Sequence, residues 1–375
     1  STLFPYTTLF RSSYTVSYDV VDPLYEASEQ YKEGRYTWSW LIWQDGATVY
    51  KDQVQFIDLA AAMGYEYCLV DALWDTQIGR DKMVELSRYA QSKGVSLMLW
   101  YNSNGYWNDA PQGPRNCLNT SLARNREFKW LQQIGVKGIK VDFFGGDKQE
   151  TLQLYEDIMV DANRYGIQVI FHGCTLPRGW ERMFPNYVAS EAVLASENVF
   201  FGEGAAIHEP FDLTLHPFCR NAVASMDWGG VIMNKYLSRD NKSRHSRKTT
   251  DIFEIASGIT NQTSIQCVAM CPNNLQELPQ FELDFLKTLP ATWDETRYID
   301  GYPGKYVVLA RRHGADWYIA GLNALKEPLK LTLDLSMLAG KTPTVYVDNQ
   351  KGEPTLGTLK VDKKGKAKVT IQPNG

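Results

Sequence analysis

The sequence predicts an α/β protein: a (β/α)8 TIM barrel over residues 36–290, followed by a small C-terminal antiparallel β-sandwich domain over 291–375. Three observations carry this expectation. From Tyr36 onward, short apolar runs alternate with amphipathic stretches, as parallel strands linked by helices do. Glycines close the helical stretches, and no G-x-G-x-x-G follows the first strand, which disfavours an open doubly wound sheet, the main rival. Past Pro290 the pattern changes to strict alternation, the mark of strands with one buried face.

The elements follow in order. "YTWSWLIWQ" (36–44) reads as strand one, and "DQVQFIDLAAAMG" places Val54, Ile57, Leu59 and Ala61 on a helix ending at Gly64. Strand two is "YEYCLVDALW" (65–74), with a helix ending at Gly94; strand three is "VSLMLWYN" (95–102), with a helix ending at Gly135. "GIKVDFF" (138–144) and "IQVIFHG" (167–173) are strands four and five, separated by a helix ending at Gly166. Strands six, seven and eight are expected near "YVASEAV" (187–193), within "ASMDWGGVIM" (224–233) and at "SIQCVAM" (264–270), before a closing helix over "LQELPQFELDFLKTL". In the C-terminal part, "KYVVLARR" and "DWYIAGLN" flank the turn "HGA", and "LKLTLDL" sets Leu329, Leu331, Leu333 and Leu335 on one face. That domain carries no functional motif and is expected to pack against the barrel.

Composition narrows the function classes. A formal charge of -4 and a pI near 5.8 argue against nucleic acid as a partner, and the one basic cluster, "RDNKSRHSRK" (239–248), reads as a solvated loop. No apolar run approaches the roughly 20 residues that span a bilayer. The six cysteines include no CxxC pair and read as small buried apolar side chains, while five histidines without H-x-H or H-E-x-x-H fit a zinc hydrolase badly. "STLFPYTTLFRS" (1–12) has no structural period and is expected to be a non-native leader, with 13–35 leading into the barrel.

The chemistry gathers on "GVKGIKVDFFGGDKQ" (135–149). Strand alternation turns Lys140 and Asp142 to one face, just before Gly145-Gly146 must end the strand, and barrel enzymes keep catalytic groups at such strand ends. Asp142 suits a nucleophile or general base, and Lys140 would hold it ionised and bind a polar substrate; the plain structural reading is a self-satisfied ion pair. "YVASEAVLASENV" adds Glu191 and Glu197, and glycoside cleavage needs two carboxyl groups, so Glu197 is a candidate proton donor. Trp43, Trp74, Trp100 and Trp107 fall at or beyond the ends of strands one to three, and their rings suit sugar faces, with Trp180 a further candidate; as plain structure they are core. Asp71 and Asn102 on the same rim could bond hydroxyls, and His172, ending strand five, is the histidine placed at the site.

Together "YTWSWLIWQDG", "DLAAAMGYEYCLVDALW", "GIKVDFF", "FHGCTLPRGWERMFPNYVASEAV" and "RYIDGYPGKYVVLARR" resemble glycoside hydrolase family 97, calcium-dependent α-glucosidases and α-galactosidases built on a (β/α)8 barrel. The likeness to family 27 and 36 α-galactosidases is weaker. The resemblance implies two branches. Inverting members carry a glutamate base directly after the strand-five histidine, where this chain has Gly173; retaining members carry an aspartate nucleophile ending strand four, which Asp142 matches, with Glu197 matching the proton donor. It further implies that Glu191 and Glu197 hold Ca2+ together with a glutamate from an N-terminal β-sandwich that these residues do not include, and a periplasmic or secreted bacterial setting. "ASENV" departs from the glutamate-tyrosine that commonly follows the donor.

The expectation is a retaining exo-α-glycosidase, α-galactosides before α-glucosides, acting on an oligosaccharide or simple α-glycoside, with no nucleic acid or membrane partner. The rival from another class is a non-catalytic carbohydrate-binding barrel. An α/β hydrolase would need a G-x-S-x-G elbow, which is missing.

Overall fold

The computed structural model describes residues 25–375 except 106, 107 and 178. Residues 1–12, expected to be a leader, about half of the segment expected to lead into the barrel, and Trp107 lie outside the described residues.

Seven strands form one parallel sheet: β1 (Gly34–Trp38), β2 (Tyr67–Val70), β3 (Ser96–Asn102), β4 (Gly138–Asp142), β5 (Gln168–Phe171), β6 (Tyr187–Ser190) and β7 (Ile265–Cys267), in the order β6-β5-β4-β3-β2-β1-β7. Every strand of this sheet is followed in sequence by helix, the longest segments being α1 (Tyr50–Met63), α2 (Arg80–Ser92), α3 (Ser121–Ile134) and α4 (Gln149–Asn163). These four end as the sequence predicts, on Gly64, Gly94, Gly135 and Gly166, all in the left-handed region where a side chain would be strained.

The strand expected within 224–233 survives only as one parallel bridge, Met226 to Ser190. It still closes the ring. Asp227 N donates to Ser190 O on one flank (3.1 Å), while Met226 N reaches Gln262 O (2.8 Å) and Ala269 N reaches Gly230 O (3.0 Å) on the other. Left-handed backbone at Gly229 and Val231 stops the extended run, and the buried Arg220 guanidinium replaces missing ladder bonds by donating to Ser190 O, Ala224 O and Ser225 O.

Two other boundaries differ from expectation. Strand one stops at Trp38 and "WLIW" forms a helical turn, Trp40–Trp43, since a short apolar run alone cannot tell strand from buried turn. The closing helix is broken at Pro279 into a turn, Asn274–Glu277, and a helix, Gln280–Thr288, because proline has no N–H for the helix interior. Four more helices are α5 (Ser196–Phe201), α6 (Glu203–Leu215), α7 (Asp251–Thr260) and α8 (Gln280–Thr288). None of the described helices is long and apolar enough to cross a membrane.

The C-terminal part consists of three small antiparallel sheets: β8 (Glu295–Tyr302), β9 (Tyr306–His313) and β10 (Asp316–Asn323); β11 (Leu329–Asp334) with β14 (Lys366–Ile371); and β12 (Thr344–Asp348) with β13 (Pro354–Thr358). They enclose Val308, Leu333, Leu335, Leu338, Val361 and Ala367. β10 packs on α7, and the buried Arg311 donates to Asn261 O (2.7 Å) and Thr260 O (3.2 Å), pinning the sheets to the barrel.

Candidate active site

Asp142 is the last residue of β4 and lies partly buried at the C-terminal mouth of the barrel. Its Oδ1 accepts from Phe143 N (2.7 Å) and its Oδ2 from the indole N–H of Trp100 (3.2 Å). That geometry exists because Phe143 is left-handed (φ 64°), which ends the strand's alternation and turns Phe144 outward onto Tyr155 and Phe171. The Phe143 carbonyl is held by Ser103 Oγ (2.9 Å) and Asn108 Nδ2 (2.6 Å). Burial raises the Asp142 pKa, Lys140 and His172 oppose the rise, and Glu197 adds to it.

Lys140 is buried, but its direct partner is not the aspartate two residues on. Its Nζ lies 3.1 Å from Asp71 Oδ2 and 4.2 Å above the Trp38 ring. Burial works against this charge; Asp71 first, then Asp142, outweigh it and hold the ammonium above its ordinary value. Asp71 also accepts from Trp38 Nε1 (2.7 Å) and Ala72 N (2.9 Å), so its oxygens are engaged.

His172 is buried beside them. Its Nε2 lies 2.7 Å from Asp227 Oδ2, and Asp227 also accepts from Tyr36 OH (2.9 Å), so Nε2 carries the proton. Nδ1, buried without a hydrogen-bond partner, lies 3.7 Å from Glu191 Oε1. Burial and Lys140 disfavour the imidazolium, yet Glu191 and Asp227 outweigh them and lift the ring to about 9. Glu191, just past β6, accepts from Gly173 N (2.9 Å) and is pushed up to about 7, by burial first and then by Glu197 and Asp142 against His172. Glu197 stands in the first turn of α5, partly exposed.

Ligand atoms of His172, Glu191 and Glu197 lie within 4.8 Å of one another. The two converging carboxylates fit a cation. A hard ion such as Ca2+ takes six to eight oxygens and imidazole nitrogen is a poor donor to it, so these residues fit as part of its shell.

Lys140, Asp142, His172, Glu191, Glu197 and Asp71 are thus brought together, while five other candidates are placed differently. Trp74 is wholly enclosed, stacked on Trp130 (5.9 Å) with its N–H on Trp100 O (2.9 Å): a core ring with no face for a sugar. Trp100, also buried, serves Asp142 through its N–H. Asn102 is fully buried, its amide donating to Ala110 O and Gln112 O and accepting from Asn108, so it organises the loop after β3. Trp43 packs on Phe56 under Arg239, and Trp180 among Tyr155, Phe171 and Tyr187, both away from the carboxylates. Sequence reasoning missed Trp38, Tyr36 and Asp227. The first two share one face of "YTW", and Asp227 in "MDWGG" repeats the acid-before-glycines texture of "VDFFGG".

A family model described as glycoside hydrolase 97 matches residues 36–193, and one for the glycosyl-hydrolase 97 C-terminal domain, described as oligomerisation, matches 292–375. The chain belongs to glycoside hydrolase family 97. A solved β-arabinopyranosidase structure is 59% identical with a TM-score of 0.95, covering 96% of this chain and 57% of that one. A retaining α-galactosidase of Bacteroides thetaiotaomicron is 26% identical over 92% of this chain and 53% of its own length. A Streptomyces bingchenggensis protein named "Probable retaining alpha-galactosidase" is 29% identical over 77% of this chain and 43% of its own. This family 97 chain therefore spans about half the length of the curated relatives it matches.

Proposed function

We propose that this chain carries the catalytic barrel of a retaining, exo-acting glycosidase. Asp142 attacks the anomeric carbon while Glu197 gives its proton to the leaving oxygen, forming a glycosyl ester on Asp142. Glu197 then takes a proton from water, which displaces Asp142 and releases the sugar with its original anomeric configuration.

One observation carries the reading. A Cβ at Gly173 would lie 2.6 Å from Asp142 Oδ1 and 2.8 Å from Phe143 N, so a glutamate base there and an aspartate nucleophile at 142 exclude each other sterically. Lys140 and the Trp100 N–H favour the ionised Asp142 that attack requires.

For the sugar we propose the galacto pattern of ring hydroxyls. A β-L-arabinopyranoside is an α-D-galactopyranoside without its C6 hydroxymethyl group, so one ring pocket serves both. The 59% likeness to a β-arabinopyranosidase puts the pentoside first; the weaker likeness to retaining α-galactosidases puts the α-galactoside second. Glu191 and Glu197 are the proposed barrel-side ligands of Ca2+, which when bound would supply positive charge beside the developing negative charge of the leaving oxygen.

Proton NMR of the first-formed anomer, with the full-length protein, tests the reading; an inverted first product would refute it. Asp142→Ala should lower turnover by a factor on the order of 10⁴, and azide should restore it as a glycosyl azide inverted at the anomeric carbon. The same assay after EDTA, with and without added CaCl2, tests the cation.

A further inference from the structure

An aromatic path leaves the floor of the site. Trp38 lies beneath the Lys140 ammonium with its N–H on Asp71. Trp40 stacks beside it, centroids 5.7 Å apart and planes 19° from parallel, and its orientation is fixed by an N–H bond to Asp45 Oδ1 (2.6 Å). Phe201 meets Trp40 edge-on at 5.9 Å and 79°. Trp40 is partly open to solvent and Phe201 is 58% exposed, an unusual state for a large apolar ring beside a polar cleft.

The place of Phe201 gives the path a direction. It ends α5, four residues after Glu197 and so on the same helix face. A proton donor must stand on the leaving-group side of the scissile bond, because its proton goes to the glycosidic oxygen. The surface beside Glu197 and remote from Asp142 is therefore where the leaving group lies.

We infer that Trp40 and Phe201 form the aglycone subsite, a corner of two rings that takes the flat face of an aromatic or pyranose leaving group. This rests on the hydrolytic reading above. Two fixed rings at nearly a right angle offer one wall to a ring face and one to its edge, and they order little on binding, which suits a rigid ring better than a flexible alkyl chain.

The test compares leaving groups. With whichever sugar the full-length wild type hydrolyses faster, kcat/KM is measured for the p-nitrophenyl glycoside and for the glycosyl fluoride. Both leaving groups depart with little help from a proton donor, so the ratio isolates binding of the aglycone ring. Phe201→Ala and Trp40→Ala should each lower the ratio, aryl over fluoride, about tenfold, and Phe201→Tyr should recover most of it. Phe201→Leu, which keeps apolar bulk without a ring, should resemble the alanine variant. A ratio within about twofold of wild type in the alanine variants, whether or not both rates fall, overturns the subsite and leaves the hydrolytic reading standing. A wild type that hydrolyses neither substrate overturns that reading and the subsite with it.

Discussion

The C-terminal rim of the barrel and the β domain turn their chains by different means. In the β domain the left-handed turns among the described residues fall on Gly304, Gly314, Gly340, Gly352 and Gly365, with Asn374 the one residue bearing a side chain. On the rim they fall on glycines such as Gly145, Gly173 and Gly229 but also on Gln44, Leu73, Phe143, Ala192 and Val231, residues for which that backbone costs about 1–2 kcal/mol each. The rim also holds the buried charges Asp71, Lys140, His172, Glu191 and Asp227, whereas pairs such as Lys366–Asp334 and Arg312–Asp294 in the β domain reach solvent. The difference teaches where strain is tolerated. A left-handed residue directly follows both Asp142 and Glu191, so the bends that cost stability are the ones beside the carboxylates.

Two glycine substitutions break the comparison in opposite ways. Gly173→Ala pushes a methyl against Asp142 Oδ1, and misplacement of about 1 Å in a reacting group costs on the order of 10²-fold. The expected outcome is a kcat lower by roughly 10²–10³, beside a stability loss of about 1–2 kcal/mol from an alanine at left-handed Gly173 (φ 48°). Steady-state kinetics beside calorimetry would contradict it by showing stability lost and kcat kept. Gly365→Ala should cost stability alone. Its Cβ would meet the Ser336 backbone at 2.5 Å in a left-handed turn (φ 78°), so unfolding should be easier by about 2–3 kcal/mol. The activity of the folded fraction should stay at the wild-type level; a loss of activity larger than the loss of folded protein would join that turn to the site.

The smallest expected effect sharpens the comparison at the seam between the two regions. Glu282 on α8 is buried with both oxygens unpartnered and is raised from 4.5 to about 7 by burial, with Asp348 adding and Arg247 opposing. A carboxyl whose folded value is raised contributes stability fully present below its unfolded value and lost as pH climbs through the folded one. Melting temperature should therefore fall between about pH 4.5 and 7, and Glu282→Gln should flatten that fall by roughly 2–4 °C. Parallel melting curves for the two proteins would exclude Glu282 as the cause.

The site was legible in part. Asp142 and Lys140 were readable because a strand's period of two puts both on one face ahead of a glycine pair. The partner of Lys140 was not, since Asp71 lies 69 residues away, past the end of β2, and only the barrel's curvature brings it to a side chain of β4 with β3 between them. Tryptophans counted at strand ends misled at Trp74 and Trp100, because Trp74 opens a buried helical turn and Trp100, within β3, is buried against Phe143 with its N–H on Asp142. The basic stretch read as a solvated loop holds Arg247, which is buried among Glu209, Glu254, Glu282 and Asp348, and Arg239, which makes a two-pronged pair with buried Asp52.

What the chain's letters determine by themselves is local: the alternation of strand and helix, the glycine stops, and an acid at the end of β4, all of which depend on residues within a few positions of one another. What only the folded molecule decides is which charges meet, which rings stay open, and that strand seven shrinks to one bridge beside Arg220. Those outcomes follow from burial and contact between segments far apart in sequence, where no local period reaches.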